Sequence, residues 1–179
     1  MLNLSVLLED SARRYPQKTA YIFGEVQLSF AQVNGAANQV ANGLRAQGIQ
    51  PGDKVALSSF NLPYFPIIYF GILKAGAVVV PLSVLLKKDE IVYHLSDSEA
   101  KAYFCFVGTP DLPIGQMGHQ AFGEVPTCDH FFLIMPQPTD APAIPGAATL
   151  GSLMAGQSPA GQAYATGAED TAIIIYTSG

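Results

Sequence analysis

Three small residues, Thr177, Ser178 and Gly179, have side-chain types that suit phosphate binding. Hydroxyl groups donate hydrogen bonds to anionic oxygens, and glycine lets backbone N–H groups approach a phosphate closely. They follow an apolar run, residues 172–176, which predicts a strand in the interior of a parallel sheet. Ligands bind beyond the carboxyl ends of such strands. The pattern therefore suits a phosphate loop, although the same three residue types also form ordinary turns.

The other residue types that could do chemistry are scattered along the chain. His94, His119 and His130 lie far apart and have no metal-ligand spacing, so we expect no catalytic role for them. Cys105 and Cys128 have neither metal spacing nor the density of a disulfide scaffold, which predicts two reduced, buried thiols. Neither a Walker motif nor a Gly-x-Gly-x-x-Gly sequence follows a predicted strand. We therefore assign no catalytic residue.

Alternating helices and strands must position the phosphate loop. This alternation predicts an α/β fold with a mainly parallel sheet flanked by helices and joined by right-handed crossovers. A hairpin is predicted around Gly24 and Glu25. By apolar periodicity, helices are predicted at 4–15, 30–44, 62–75, 88–95 and near 150–154, and strands at 19–23, 26–30, 55–58, 77–82, 102–107, 130–135 and 172–176.

Several residues mark the ends of these helices. Asn3 and Asn61 are predicted to cap the first and third helices. Ser29 and Gln32 have the spacing of a capping box, and Gly76 is placed to end a helix in left-handed geometry.

The second half of the chain has a different composition. Residues 108–167 are rich in glycine and proline and are interrupted by one apolar run, 130–135. We read residues 136–167 as a long Gly/Pro-rich surface loop that contains one short helix, and we place His119 in a loop as well. Loops of this length are uncommon unless they are mobile or functional.

The composition narrows the possible partners and the location. A net charge of −5 and the lack of a basic cluster argue against a nucleic-acid partner. Residues 55–73 carry no charge and could span a bilayer, but Pro63 and Pro66 divide them into a strand, a turn and a helix. The N-terminus does not have the pattern of a signal peptide. We expect a cytoplasmic protein that is at most peripheral at a membrane.

Three stretches of the sequence resemble the motifs of one family, in that family's order. IIIYTSG resembles the start of the phosphate loop of the adenylate-forming (AMP-binding) superfamily, to which the acyl-CoA synthetases belong. ILKAGAVVVPLS, residues 72–83, resembles its upstream core motif, and residues 28–44 resemble its first signature helix. Residues 61–82 are most similar to the fatty acid–CoA ligase branch.

The resemblance implies a function for a longer protein. Residues 1–179 would be the N-terminal portion of the large AMP-binding domain. The parent enzyme would convert a fatty or other carboxylic acid and ATP to an acyl-adenylate, and then transfer the acyl group to coenzyme A. Thr177, Ser178 and Gly179 would hold the ATP phosphates, and the Thr177 hydroxyl would coordinate Mg²⁺. We expect residues 1–179 alone to be inactive, because the family's other functional positions lie downstream.

Other interpretations stay open. A complete, non-catalytic binding module could share the architecture. Within the family, residues 1–179 do not distinguish this enzyme from an aryl-CoA ligase, an amino-acid adenylation domain or a luciferase-like oxidase, because most of the acid pocket lies downstream. The aromatic residues 64–70 fit a core better than an acyl tunnel. An apolar strand without its neighbours leaves an open sheet edge, so we expect the isolated chain to self-associate.

Overall fold

The structure, a computed structural model, describes residues 3–177. The helices are α1 (Val6–Arg14), α2 (Phe30–Ala46), α3 (Tyr64–Ala75), α4 (Lys88–Asp97), α5 (Ile114–Phe122) and α6 (Leu150–Met154). The strands are β1 (Thr19–Phe23), β2 (Val26–Ser29), β3 (Lys54–Ser58), β4 (Val78–Pro81), β5 (Ala100–Phe106), β6 (His130–Ile134) and β7 (Ala148–Thr149).

The centre of the fold is a five-stranded sheet in the order β4-β3-β5-β6-β7, in which every neighbouring pair is parallel. Strands β1 and β2 form a separate antiparallel hairpin in which Phe23 faces Val26 across the predicted turn. The predicted α/β class with a parallel sheet and flanking helices is confirmed.

Helices cover both faces of the sheet. Chain order moves from β3 outward to β4 and then back across to β5, so right-handed crossovers place α3 on one face and α4 and α5 on the other. Accordingly α2 and α6 join α3 on the first face, and α4 packs against α5 on the second. Many strand side chains between these layers are fully buried, among them Leu57, Val79, Phe104 and Leu133.

Two of the predicted helix ends are confirmed. Ser29 and Gln32 form both hydrogen bonds of a capping box at the start of α2. Gly76 ends α3 with a φ of 85°, a left-handed conformation that favours glycine.

Of the two predicted asparagine caps, the one at Asn61 is wrong, because α3 begins after Pro63, whose fixed φ suits the first turn of a helix. Asn3 does cap the turn that leads into α1: its Oδ1 accepts from the Ser5 N–H at 2.9 Å, and its carbonyl accepts from the Val6 N–H at 3.0 Å. Its Nδ2 also donates to the carbonyl of Leu73 (2.7 Å) and that of Tyr164 (3.0 Å). The Asn61 carbonyl accepts a hydrogen bond from the hydroxyl of Tyr21 at 2.9 Å.

Helix α5 lies where the sequence predicts only irregular structure, so the placement of His119 in a loop is wrong. The glycines of α5 were interpreted as signs of a loop, but they are explained by the close packing of this helix on the sheet. A Cβ on Gly115 would lie 2.9 Å from the Cα of Val107, and one on Gly118 would lie 2.7 Å from the Sγ of Cys105. Glycine here lets the helix approach the sheet and does not mark a turn.

The uncharged stretch 55–73 forms β3 and α3 separately, as predicted. Among the helices in residues 3–177, we find none with the length and apolar character needed to cross a bilayer.

Candidate functional site

The predicted phosphate loop begins at the end of a segment, residues 171–177, that we call the terminal segment. It runs parallel to β4 on that strand's outer side, with Ile173 opposite Val79. The Val79 N–H donates to the Ala172 carbonyl (3.0 Å), and the Ile174 N–H donates to the Val79 carbonyl (2.9 Å). The terminal segment therefore adds to the sheet in the same direction as the other strands.

The prediction that this segment forms a strand in the sheet interior is wrong. Pairing is limited to the single bridge at Ile173, and the side chain of Ile175 is 65% exposed. The segment lies at an edge of the sheet in residues 3–177. A run of β-branched residues indicates an extended backbone, but it does not reveal which side of that backbone has a neighbour.

Of the three predicted site residues, only Thr177 lies within the described residues. It is exposed at the end of the terminal segment. Ser178 and Gly179 lie outside the described part of the chain, so the predicted phosphate-binding roles of all three stay predictions.

The residue before Thr177 is held by helix α4. The hydroxyl of Tyr176 donates to Asp97 Oδ2 at 2.7 Å, and its ring meets the His94 ring edge to face at a centroid distance of 4.3 Å. Burial, followed by the neighbouring Asp97 carboxylate, raises the pKa of Tyr176 to about 12. At neutral pH the hydroxyl therefore keeps its proton and acts as a donor.

The terminal segment is reached through residues 157–164, which we call the strap. The strap lies over α2, and side chains of that helix donate to its backbone carbonyls. Asn38 donates to Pro159 (2.8 Å) and Gln39 donates to Gln157 (3.1 Å). Three further bonds come from Asn42 to Ser158 (2.9 Å) and Ala160 (3.2 Å), and from Arg45 to Gln162 (3.2 Å).

Sequence reasoning missed these α2 side chains, although a signal was present. Asn38, Asn42 and Arg45 repeat at intervals of four and three, directly beside the apolar stripe. Amide groups on one helix face suit the binding of an extended backbone.

Much of the predicted loop 136–167 is anchored to α2 by these side chains, and the short helix predicted within the loop is α6.

The strap ends next to the helix that precedes β4. The Tyr164 N–H donates to the carbonyl of Lys74 (2.8 Å). Its ring lies against Gly76, where a Cβ would be 2.7 Å from the ring. Beyond the strap, the Gly167 N–H donates to Asp170 Oδ2 (2.8 Å) and closes a turn before the terminal segment.

A buried lysine supports the same corner. The Lys74 side chain is 1% exposed and pairs with Glu9, so it links α3 to α1. Burial lowers the pKa of Lys74, and the Glu9 carboxylate opposes this effect. The pair therefore has a structural role at the end of α3.

The polar groups buried beneath the sheet are not arranged as a nucleophilic site. The Tyr103 hydroxyl donates to Ser58 Oγ at 2.9 Å in a fully buried position. Burial raises the pKa of Cys105 to about 12, and that of Cys128 to about 12. Both cysteines are free and buried, as predicted. Because the thiolate is the reactive form, neither thiol is suited to act as a nucleophile.

A cavity of about 440 Å³ lies between the strap and the terminal segment, and it is bordered by Lys54, Tyr164, Asp170 and Ile174. Of the residues that line the cavity, Lys54 begins β3 and Val78 begins β4. The cavity is therefore at the amino ends of these strands, opposite to the edge where parallel sheets bind ligands.

The described residues contribute little to a metal site. Within residues 3–177, no three His, Cys, Asp or Glu side chains are grouped so that they could bind a metal ion. The Thr177 hydroxyl is a hard oxygen donor, which suits Mg²⁺, but it is a single ligand.

Comparison with known proteins connects this fold to a family. The sequence profile of the family described as AMP-binding enzyme matches residues 8–179. A crotonobetaine/carnitine–CoA ligase of Salmonella arizonae is 35% identical over 99% of this chain, which covers 34% of that protein. The long-chain-fatty-acid–CoA ligase FadD13 of Mycobacterium tuberculosis is 36% identical over 64% of the chain, which covers 23% of that protein.

Solved structures agree with the sequence comparison. The anthranilate CoA ligase AuaEII in complex with anthranoyl-AMP superposes with a TM-score of 0.87 at 28% identity. That match covers 99% of this chain and 32% of the ligase. The chain thus spans about a third or less of the length of each of these three proteins.

Proposed function

Because this chain belongs to the AMP-binding enzyme family, we propose that it is part of an ATP-dependent acid–CoA ligase. In the first step a carboxylate attacks the α-phosphate of ATP, which gives an acyl-adenylate and pyrophosphate. In the second step the thiol of coenzyme A attacks the acyl carbon, which gives the thioester and AMP. ATP and coenzyme A are therefore substrates of the proposed enzyme.

Residues 1–179 are proposed to form the N-terminal portion of the AMP-binding domain. The matches support this, since they cover nearly all of this chain but about a third of the Salmonella ligase. We propose that the portion is inactive alone. Attack of a carboxylate on a phosphate brings two anions together, and the transition state needs closely placed positive charge.

The observation that carries the proposal is the direction of the terminal segment. Its parallel pairing with β4 at Ile173 makes it a further element of the α/β sheet, and Thr177 is its last residue. We propose that Thr177, Ser178 and Gly179 bind the phosphates of ATP through hydroxyl and backbone N–H groups.

We further propose that Thr177 supplies one oxygen ligand to Mg²⁺. The metal would neutralise phosphate charge, and its remaining ligands would come from phosphate oxygens, water and other side chains. This chain's own contribution is to hold the hydroxyl in place and to orient the phosphate chain.

The acid is proposed to be a fatty acid, on the basis of residues 61–82. The relatives named above act on acids of several kinds, so the panel tested must be broad. We also propose a cytoplasmic location, at most peripheral at a membrane.

Acid-dependent ATP–pyrophosphate exchange by the full-length protein tests the proposed function. The panel should contain short-, medium- and long-chain fatty acids, aromatic acids and amino acids. We expect exchange with fatty acids, a large loss in Thr177→Ala, and none with residues 1–179 alone. If no acid supports exchange, the non-catalytic binding module becomes the better interpretation. Robust exchange by residues 1–179 alone would show that the catalytic residues lie within this portion and that the proposal is wrong.

A further inference from the structure

We propose that Asp97 and Tyr176 are positioning residues that hold the backbone of Thr177 for nucleotide binding. This inference rests on the proposed function of Thr177 and assigns a role to helix α4. We call the hydrogen bond between the two side chains, together with the His94 ring contact, the α4 latch.

Two contacts define the latch, and a third fixes one of its residues. The Tyr176 hydroxyl donates to Asp97 Oδ2 at 2.7 Å, and the Tyr176 ring lies edge to face on His94 at 4.3 Å. His94 is itself fixed, since its Nδ1 is 2.6 Å from the carbonyl of Glu90, one turn earlier in α4. Tyr176 thus has one polar and one apolar contact with a regular helix, whereas the backbone of the terminal segment is paired only at Ile173.

The position of Asp97 within α4 supports a role outside the helix. Asp97 is the last residue of α4, where a carboxylate faces the negative end of the helix dipole. An acidic side chain at that position disfavours the helix, so helix stability does not account for it. Among the ion pairs of residues 3–177, none includes Asp97. Its clear partner is Tyr176.

The latch acts on the residue that binds the nucleotide. Tyr176 precedes Thr177 directly, so fixing the Tyr176 side chain limits the conformations of the Thr177 backbone. The Ile175 side chain, one residue earlier, is 65% exposed and offers no comparable restraint. Without the latch, these residues would become ordered only when the nucleotide binds. The entropic cost of that ordering would lower the affinity for the nucleotide.

Steady-state kinetics of the full-length protein test the inference. Tyr176→Phe removes the hydroxyl and keeps the ring, and Asp97→Ala removes the acceptor. We expect each to raise the KM for ATP about 3- to 10-fold, in keeping with the loss of one hydrogen bond, and to leave the KM for the acid within about twofold. The double variant should be no worse than either single variant, because both remove the same bond.

Two controls separate positioning from general destabilisation. Asp97→Asn retains an acceptor oxygen and should keep a near wild-type KM for ATP. Tyr93→Phe removes an exposed hydroxyl from the same helix and should change neither KM. An unchanged or lowered KM for ATP in Tyr176→Phe, or equal losses for ATP and the acid, would overturn the inference.

Hydrogen exchange on the unliganded full-length protein gives a readout that does not need activity. Amide exchange of residues 174–177 should be several-fold faster in Tyr176→Phe than in Tyr93→Phe, with the exchange of β3 and β5 unchanged. Equal exchange in the two variants would show that the latch does not restrain the segment. If the protein lacks acid-dependent exchange of pyrophosphate, the proposed function fails, and this measurement alone decides whether the latch exists.

Discussion

The central sheet and the chain that leads to Thr177 are stabilised in different ways. Strands β3 to β6 are held by apolar side chains buried on both faces of the sheet, such as Leu57 and Phe104. The strap is held by polar side chains of α2 that bind its backbone, and the terminal segment is held by one backbone bridge to β4 and by the Tyr176 hydroxyl. Burial is non-directional and tolerates approximate geometry, whereas a hydrogen bond requires particular atoms in place.

This difference separates the stability of the fold from the placement of the site. Removing a buried side chain should destabilise the whole domain, whereas removing a strap contact should mainly release the strap. Four predictions test this contrast, from the largest expected effect to the smallest.

Phe104→Ala tests the sheet. Phe104 is fully buried and stacks on Phe132 at a centroid distance of 5.0 Å. Loss of the ring leaves a cavity between strand and helix, and we expect the free energy of unfolding to fall by about 3–5 kcal/mol. Urea denaturation measures it, and Phe104→Leu, which fills most of the space, should cost clearly less. A loss of less than about 1 kcal/mol would contradict the tight packing of the core around Phe104 that this prediction assumes.

Glu9→Ala tests the corner between the two regions. It leaves the Lys74 ammonium buried without its carboxylate partner. Breaking a buried pair is costly, but Glu9 is partly exposed, so we expect a loss of about 1–3 kcal/mol.

The double variant Glu9→Ala/Lys74→Met identifies the cause. It should recover much of that stability, because the uncompensated charge is gone. Additive losses in the two single variants would contradict this account of the corner.

Asn42→Ala tests the strap. It removes two hydrogen bonds to the strap carbonyls, and Gln39→Ala removes one. At about 0.5–1.5 kcal/mol per bond, Asn42→Ala should have the larger effect. Amide exchange and limited proteolysis should increase within residues 157–164 and not in β5. If amide exchange instead increased evenly across the whole domain, the strap and the core would unfold as one cooperative unit, which would contradict the contrast.

Ile175→Lys tests the open edge beside β4. The side chain is 65% exposed, so the substitution should change stability by only about 0.5 kcal/mol or less. It should weaken the self-association that we expect of the isolated chain, because a lysine on an edge strand opposes pairing. Sedimentation velocity over a wide concentration range measures this, with Ile175→Thr as the uncharged control. A wild-type chain that remains monomeric throughout would refute the expected association.

Sequence reasoning succeeded where the signal is local or periodic. The alternation of strands and helices predicted the parallel sheet, and the capping box of α2 and the left-handed Gly76 were found from neighbouring residues. It failed where the same residue type has two uses. The glycines of α5 allow close packing and were read as loop signals, and Asn61 was read as a cap although α3 begins after Pro63.

The candidate site divides in the same way. Residue types alone marked Thr177 as a hydroxyl donor after an extended apolar run. They did not show that the run lies at a sheet edge, that Tyr176 contacts Asp97, or that Asn38 and Asn42 bind the strap. Each of these contacts joins residues far apart in the chain, and no local pattern specifies which distant partner a side chain will meet.

The sequence by itself therefore determined the family, the class of fold and the order of its elements as far as β5, whereas it missed α5 and β7. The family follows from the resemblance of three motifs, and the class of fold follows from local backbone preferences and from the period of apolar residues, which act over a few neighbours. Only the tertiary structure decided how the terminal segment is held, because a polar side chain can bind any suitable group within reach. Which group that is depends on how the helices pack on the sheet.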